Sequence, residues 1–147
     1  MTTKTIILAF AMLTLAGCAP VMANTLTTVS LTLWGETRNQ DYNGKHAVAS
    51  TIWNRAKANP AKFQAVCLAP HQYSCWHKRV FTQSMPDLRK PLDRLAWHDC
   101  VALASSMMDG TFLPSLESKH YHEASVRPYW AHDYRMIAQI GSHRFYR

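Results

Sequence analysis

Acidic side chains are scarce in this chain of 147 residues: 9 Asp and Glu stand against 16 Lys and Arg, a formal net charge of +7. Glycine and proline are few as well, 5 and 7 residues. With a hydrophobic fraction of 48%, that scarcity excludes a disordered tail and argues for a folded globule. No internal repeat or low-complexity tract occurs, which excludes a solenoid. No apolar run reaches the roughly 20 residues of a comfortable membrane span. The length suits one compact domain.

The excess of positive charge calls for an acidic partner. Nucleic acid, anionic lipid, or the acidic peptide and lactyl groups of a bacterial cell wall all qualify. The first residues narrow the choice. Lys4 precedes an apolar stretch from Ile6 to about Gly17, and small residues follow. This is the layout of a secretory signal over residues 1–23, with a mature domain over 24–147. Leu15-Ala16-Gly17-Cys18 fits a bacterial lipobox, which makes Cys18 a lipidation candidate. Val21-Met22-Ala23 fits an ordinary cleavage site, and a retained N-terminal anchor is a third form of the same segment. Each version exports the domain, to the periplasm or as an outer membrane lipoprotein. Membrane contact is then confined to the N-terminus, and nucleic acid drops out as a partner. A monomer is expected.

Cysteine is the other scarce residue. Only Cys67, Cys75 and Cys100 follow the export segment. An exported compartment permits disulfides, and an odd number leaves one over. Cys67 and Cys75 are close in sequence and flank a Pro-containing loop, so they form the disulfide candidate. Cys100 lies in a helical pattern and reads as a buried thiol.

Along the domain, Val29 to Leu33 alternates as a strand would, yet Leu26, Val29, Leu33 and Glu36 also fall at helical spacing. Asp41 to Gly44 supplies turn and cap chemistry before a helix over about 44–58, stopped by Pro60. Residues 60–76 look irregular, with a possible strand at 72–76. A helix is expected from Pro91 to Gly110, with Leu92, Leu95, Ala96, Leu103 and Met107 as its apolar stripe. Short strands are expected at 119–123, 136–140 and 143–146. The sum is a small α+β domain with about three helices and a short antiparallel sheet.

Several residues could carry chemistry. Glu36 follows Leu33, Trp34 and Gly35, apolar company that could desolvate a proton donor; alone, the stronger reading is a solvated helix-end acid beside Arg38. His120 and His122 share one face of a strand, so they could contact a sugar, move protons or bind a metal. A zinc site needs a third ligand, and no spacing marks out His132, His143 or Glu123, so no metal or cofactor is assigned. Cys75 with a histidine base would make a peptidase. Tyr73, Trp76 and Tyr121 lie near these polar groups and suit a carbohydrate cleft.

Six blocks carry a family resemblance. Leu33 to Arg38 resembles the "WGEAR" signature of the SleB-type cell wall hydrolases. Gly44 to Ala49 with Asn54-Arg55 resembles its "G…AVA…NR" helix. Gln72-Tyr73-Ser74-Cys75-Trp76 resembles "QFSCW", and His120-Tyr121-His122 resembles "THYH". Pro128 to Ala131 and Ile140 to Tyr146 resemble the closing "P.WA" and "IGNH.FY". The resemblance implies a lysozyme-like fold, a helix before Glu36, and peptidoglycan as partner. It implies a lytic transglycosylase with Glu36 as general acid and base, cutting between N-acetylmuramic acid and N-acetylglucosamine. Tyr73, Ser74, Trp76, His120, Tyr121 and His122 are the candidate substrate contacts. Two positions depart from the family pattern: Gln40 stands where a second acid is frequent, and Lys119 where threonine is common. Muramidase-type hydrolysis, a Cys/His or zinc amidase or peptidase, and a non-catalytic wall-binding lipoprotein are the rival readings.

Overall fold

A computed structural model of the chain describes residues 18–76 and 85–147, with side chains from residue 24 onward. Four helices, α1 (Cys18–Thr37), α2 (Tyr42–Arg55), α3 (Pro60–Cys67) and α4 (Pro91–Asp109), precede a small sheet of β1 (His120–Glu123), β2 (Met136–Ile140) and β3 (His143–Tyr146). Short 3-10 turns cover Ser74–Trp76 and Tyr129–His132. Most of the export segment, and Leu15 to Gly17 of the lipobox, lie outside the described residues. No helix among the described residues is long and apolar enough to cross a membrane.

The alternating stretch before Glu36 is helical. Helix α1 packs against α2, α3 and α4 and is buried on several faces, with Val29, Ser30, Thr32 and Leu33 all essentially inaccessible. A helix enclosed in this way has no single apolar stripe, so its period is hidden. Its buried hydroxyls are satisfied within the helix: Ser30 donates to the Leu26 carbonyl at 2.8 Å, and Thr32 to the Thr28 carbonyl at 2.8 Å.

Helix α2 starts where the cap chemistry pointed. The Asp41 carboxylate accepts from the Gly44 N–H at 2.8 Å. Helix α3 is an addition to the expected set. Asn59 caps it by accepting from the Ala61 N–H at 3.0 Å, and Pro60 opens its first turn, so Pro60 starts a helix as well as following one. The possible strand at 72–76 is a 3-10 turn over Ser74–Trp76. Helix α4 ends at Gly110, whose φ of 81° is left-handed. Its stripe is only half as expected: Leu103 and Met107 are buried with Cys100 and Ala104, while Leu92 and Leu95 are exposed.

The sheet is antiparallel in the order β1-β3-β2, with His120 opposite Tyr146 and Glu123 opposite His143. Phe145 of the central strand is buried in the common core with Leu33, Val48, Phe63 and Leu103. The sheet thus closes over the end of α1 that carries Glu36.

Candidate active site

Glu36 is the next-to-last residue of α1 and is half-buried. Both its oxygens are held. Oε1 accepts from the Ser74 hydroxyl and from the Cys75 backbone N–H, each at 3.1 Å. Oε2 accepts from the Tyr121 hydroxyl at 2.9 Å. The donors come from the 3-10 turn and from β1, so two distant segments aim one carboxylate. Burial, and then Glu36 itself, raise the Tyr121 pKa well above its ordinary value, which keeps that hydroxyl protonated and donating.

The turn can reach Glu36 because residue 35 is glycine. A Cβ at Gly35 would lie 2.3 Å from the Cys75 Cβ. Helix and turn therefore touch backbone to side chain, with no room between them.

Glu36 faces a cleft of about 790 Å³ lined also by Tyr121, His122, Glu123, Trp130 and His143. His122 is fixed in its wall. Its Nδ1 lies 2.8 Å from the Glu123 carbonyl, which can only accept, so Nδ1 carries the proton. Its Nε2 is then free to accept from the Tyr146 hydroxyl at 2.8 Å. His120 and His122 both pack against Trp130, which confirms their shared face. No group of three or more His, Cys, Asp or Glu among the described residues is arranged to hold a metal ion.

Gln40 does not merely replace an acid. Its side chain donates to the Ser142 hydroxyl at 2.8 Å and accepts from the Ser142 N–H at 3.2 Å. It ties the end of α1 to the β2–β3 turn, where Gly141 has a φ of 55° and a Cβ would fall 2.1 Å from the Gln40 Oε1.

Several expected site residues stand elsewhere. Tyr73 is 2% exposed and packs against Tyr121, with its hydroxyl 3.4 Å from the Arg55 guanidinium, so it stands behind the cleft wall. Trp76 turns inward, its indole N–H donating to Thr32 Oγ1 at 2.9 Å. Ser74 and Tyr121 do line the cleft, but their hydroxyls are engaged with Glu36. The expected Cys67–Cys75 disulfide is not formed: both are free, buried thiols. The Cys67 thiol hydrogen-bonds to Thr32, while Cys75 is seated against Gly35. Cys100 is likewise a buried free thiol. Burial, with Glu36 next, pushes the Cys75 thiol well up, the opposite of an activated nucleophile.

His143 was singled out only as a possible zinc ligand. It is 7% exposed, packs edge-on against the Tyr121 ring, and has a buried Nδ1 with no hydrogen-bond partner. Burial lowers the pKa of His143, and of His46 and His120, from the ordinary 6.5. Just below pH 6.5 the folded chain therefore binds fewer protons than the unfolded chain, and stability falls as pH drops through that range. The thermal midpoint is expected to be lower at pH about 5.5 than at pH about 7.5. Equal midpoints would count against this burial penalty.

The comparisons with known proteins agree with this architecture. A family model described as Cell Wall Hydrolase matches residues 39–146, beginning just after Glu36. The catalytic domain of the germination-specific lytic transglycosylase SleB from Bacillus anthracis is similar in structure, with a TM-score of 0.60 and 20% identity over 84% of this chain and 94% of that one. The catalytic domain of the Bacillus cereus SleB protein gives a TM-score of 0.56 and 20% identity over 85% of this chain and 91% of that one. No curated protein sequence matches. The two likenesses show a shared α+β fold, while the family match covers most of the chain and all of the sheet. The chain belongs to the cell wall hydrolase family and is an enzyme that acts on the cell wall.

Proposed function

We propose that the enzyme is a lytic transglycosylase that cleaves peptidoglycan glycan strands between N-acetylmuramic acid and N-acetylglucosamine, with Glu36 as general acid and then general base. The observation that carries the reading is the setting of Glu36, a half-buried carboxylate at the wall of an open cleft, aimed by three donors. In this chemistry a protonated Glu36 gives its proton to the glycosidic oxygen as the bond breaks. The resulting carboxylate takes a proton from the muramic 6-hydroxyl, whose oxygen closes the 1,6-anhydro ring. One carboxyl group serves both steps, and the donors hold it in place between them.

A muramidase is the second reading, because Glu123 lines the same cleft as Glu36. Hydrolysis uses a second carboxylate, as nucleophile or as the base for a water. Asp41 and Asp133 do not line this cleft. The proposal includes export, with the enzyme working as a monomer in the periplasm or as an outer membrane lipoprotein. The layout of residues 1–23 and the location of the substrate support that part.

Digestion of purified sacculi followed by mass spectrometry of the soluble products tests the proposal. Anhydromuropeptides are expected. Reducing muropeptides would transfer the assignment to a muramidase, and new peptide amines to a peptidase. Cys75→Ser is expected to keep sacculus cleavage within roughly tenfold of the parent, because the backbone N–H that donates to Glu36 remains and the serine hydroxyl can donate to Glu36 in place of the thiol. A far larger loss in a folded variant would favour the cysteine peptidase.

A further inference from the structure

We propose that a second cavity, opening beside Glu36, is a subsite for carboxylates on the peptide stem of the substrate, held by Arg55 and Lys119. The inference rests on the proposed function in one respect, that the glycan strand lies in the Glu36 cleft.

The cavity has a volume of about 340 Å³ and is lined by Arg55, Lys119, His120, Tyr121, Trp130 and Tyr134 among others. That size suits a small ligand group. No Asp or Glu lines it. Neither cation takes part in an ion pair among the described residues. Residues 1–17 and 77–84 contain no Asp or Glu. Glu117, which shares a neighbouring groove with Lys119, is paired with Arg147, so no carboxylate side chain among the described residues neutralises either cation within the cavity. His120 senses both: after burial, Arg55 and then Lys119 push its pKa down. It remains neutral beside them at neutral pH and does not compete for the anion.

Arg55 is already positioned. It closes α2, where the carbonyl end of the helix favours a cation. Its Nη1 donates to the Tyr73 hydroxyl at 3.4 Å, and the guanidinium carbon lies 5.5 Å from the centre of that ring. Little side-chain freedom is left to lose when a ligand binds. Lys119 is exposed at the rim, while its backbone N–H is fixed by the Tyr146 carbonyl at 2.9 Å. The departure from threonine at residue 119 thus adds a charge where the cavity can use it.

The link to the reacting bond is short. Tyr121 and Trp130 line both cavities, and the Tyr121 hydroxyl donates to Glu36. An anion in the second cavity is one aromatic side chain away from the proposed acid. On a glycan strand the groups that could reach it hang from muramic acid, through its lactyl ether, and are carboxylates of the peptide stem. The muramic residue beside the scissile bond would then be recognised by its peptide as well as its sugar.

Two soluble probes test this: N-acetylglucosaminyl-N-acetylmuramyl-tetrapeptide, and the same molecule with its peptide carboxylates amidated. Each is titrated into the full chain and followed by calorimetry and by NMR shifts. Amidation is expected to weaken binding by about tenfold or more, with shifts at His120 and Trp130 for the carboxylate form. In Lys119→Glu the preference for the charged probe is expected to vanish, and in Arg55→Gln to shrink. Equal affinity for the two probes would overturn the subsite. So would a preference that survives in both variants, or no binding of either probe. The titration needs no bond cleavage, so it can fail while sacculus digestion still yields anhydromuropeptides, and it can succeed when digestion gives another product.

Discussion

Clearance of purified sacculi by the Glu36→Gln enzyme is expected to be about a thousandfold slower than by the parent, within the range that general acid and base catalysis contributes. Glutamine has nearly the same shape. Its amide oxygen can still accept from Ser74 and Cys75, or from Tyr121, but it can neither give nor take a proton in the way the proposed chemistry requires. One good donor contact is lost, at a net cost of about 1 kcal/mol, so the variant should fold. Circular dichroism and thermal unfolding verify that, and the initial rate of turbidity loss reads the chemistry. A folded Glu36→Gln enzyme with more than roughly a tenth of parental activity would remove Glu36 from the role of proton donor.

The second large effect is expected from Gly35→Ala, a change of one methyl group. The new Cβ would stand 2.3 Å from the Cys75 Cβ and 3.0 Å from its Sγ. Neither atom is the end of a long, flexible side chain, so helix α1 or the 3-10 turn must move. Overpacking of this kind costs about 3 kcal/mol. In a chain of this length the midpoint then falls by roughly 10 °C. Activity should fall by at least about tenfold as well, because the displaced turn carries Ser74 and the Cys75 N–H away from Glu36. A double variant separates contact from propensity. Cys75→Ala keeps the Cβ and cannot relieve the clash. Cys75→Gly removes it and should restore part of the midpoint in the Gly35→Ala background. A Gly35→Ala protein as stable as the parent would mean that helix and turn are not in contact.

Parts of this site could be read directly from the chain. Asp41 and Gly44 marked the start of α2, and Pro91 and Gly110 bounded α4, because cap and turn preferences depend on near neighbours. The strands around His120, Ile140 and His143 were short but correctly positioned. Helix α1 was ambiguous for a tertiary reason: buried on several faces, it needs no polar stripe, and its Ser and Thr residues imitate a strand. The Asn59-Pro60 pair carries the signal for α3, a cap followed by proline, but the same proline also fits the stop of α2, which masks the new start.

The side-chain roles were harder. Tyr73 and Trp76 were expected in the cleft because amphipathic rings suit sugars, but composition does not say which way a ring turns. The pairing of Cys67 with Cys75 followed from their proximity in sequence, whereas the fold commits each thiol to a different neighbour. Gln40 is the clearest case. Its identity showed only that an acid was absent; its clamp on Ser142 depends on a turn a hundred residues away.

The Glu36 partners Ser74, Cys75 and Tyr121 lie 38, 39 and 85 positions away along the chain. Contacts that long close late, after the loops between them have lost their freedom. The acid's setting is therefore a product of the fold from α1 to the sheet, and no fragment that lacks α1, the Ser74–Trp76 turn or β1 can be a smaller version of the enzyme. During refolding, helix content should return before cleavage does, because β1 must dock before Tyr121 can reach Glu36. On the proposed reading, a chain still in transit carries its acid without the grip that makes it a cutting tool, and cleavage begins only once folding is complete.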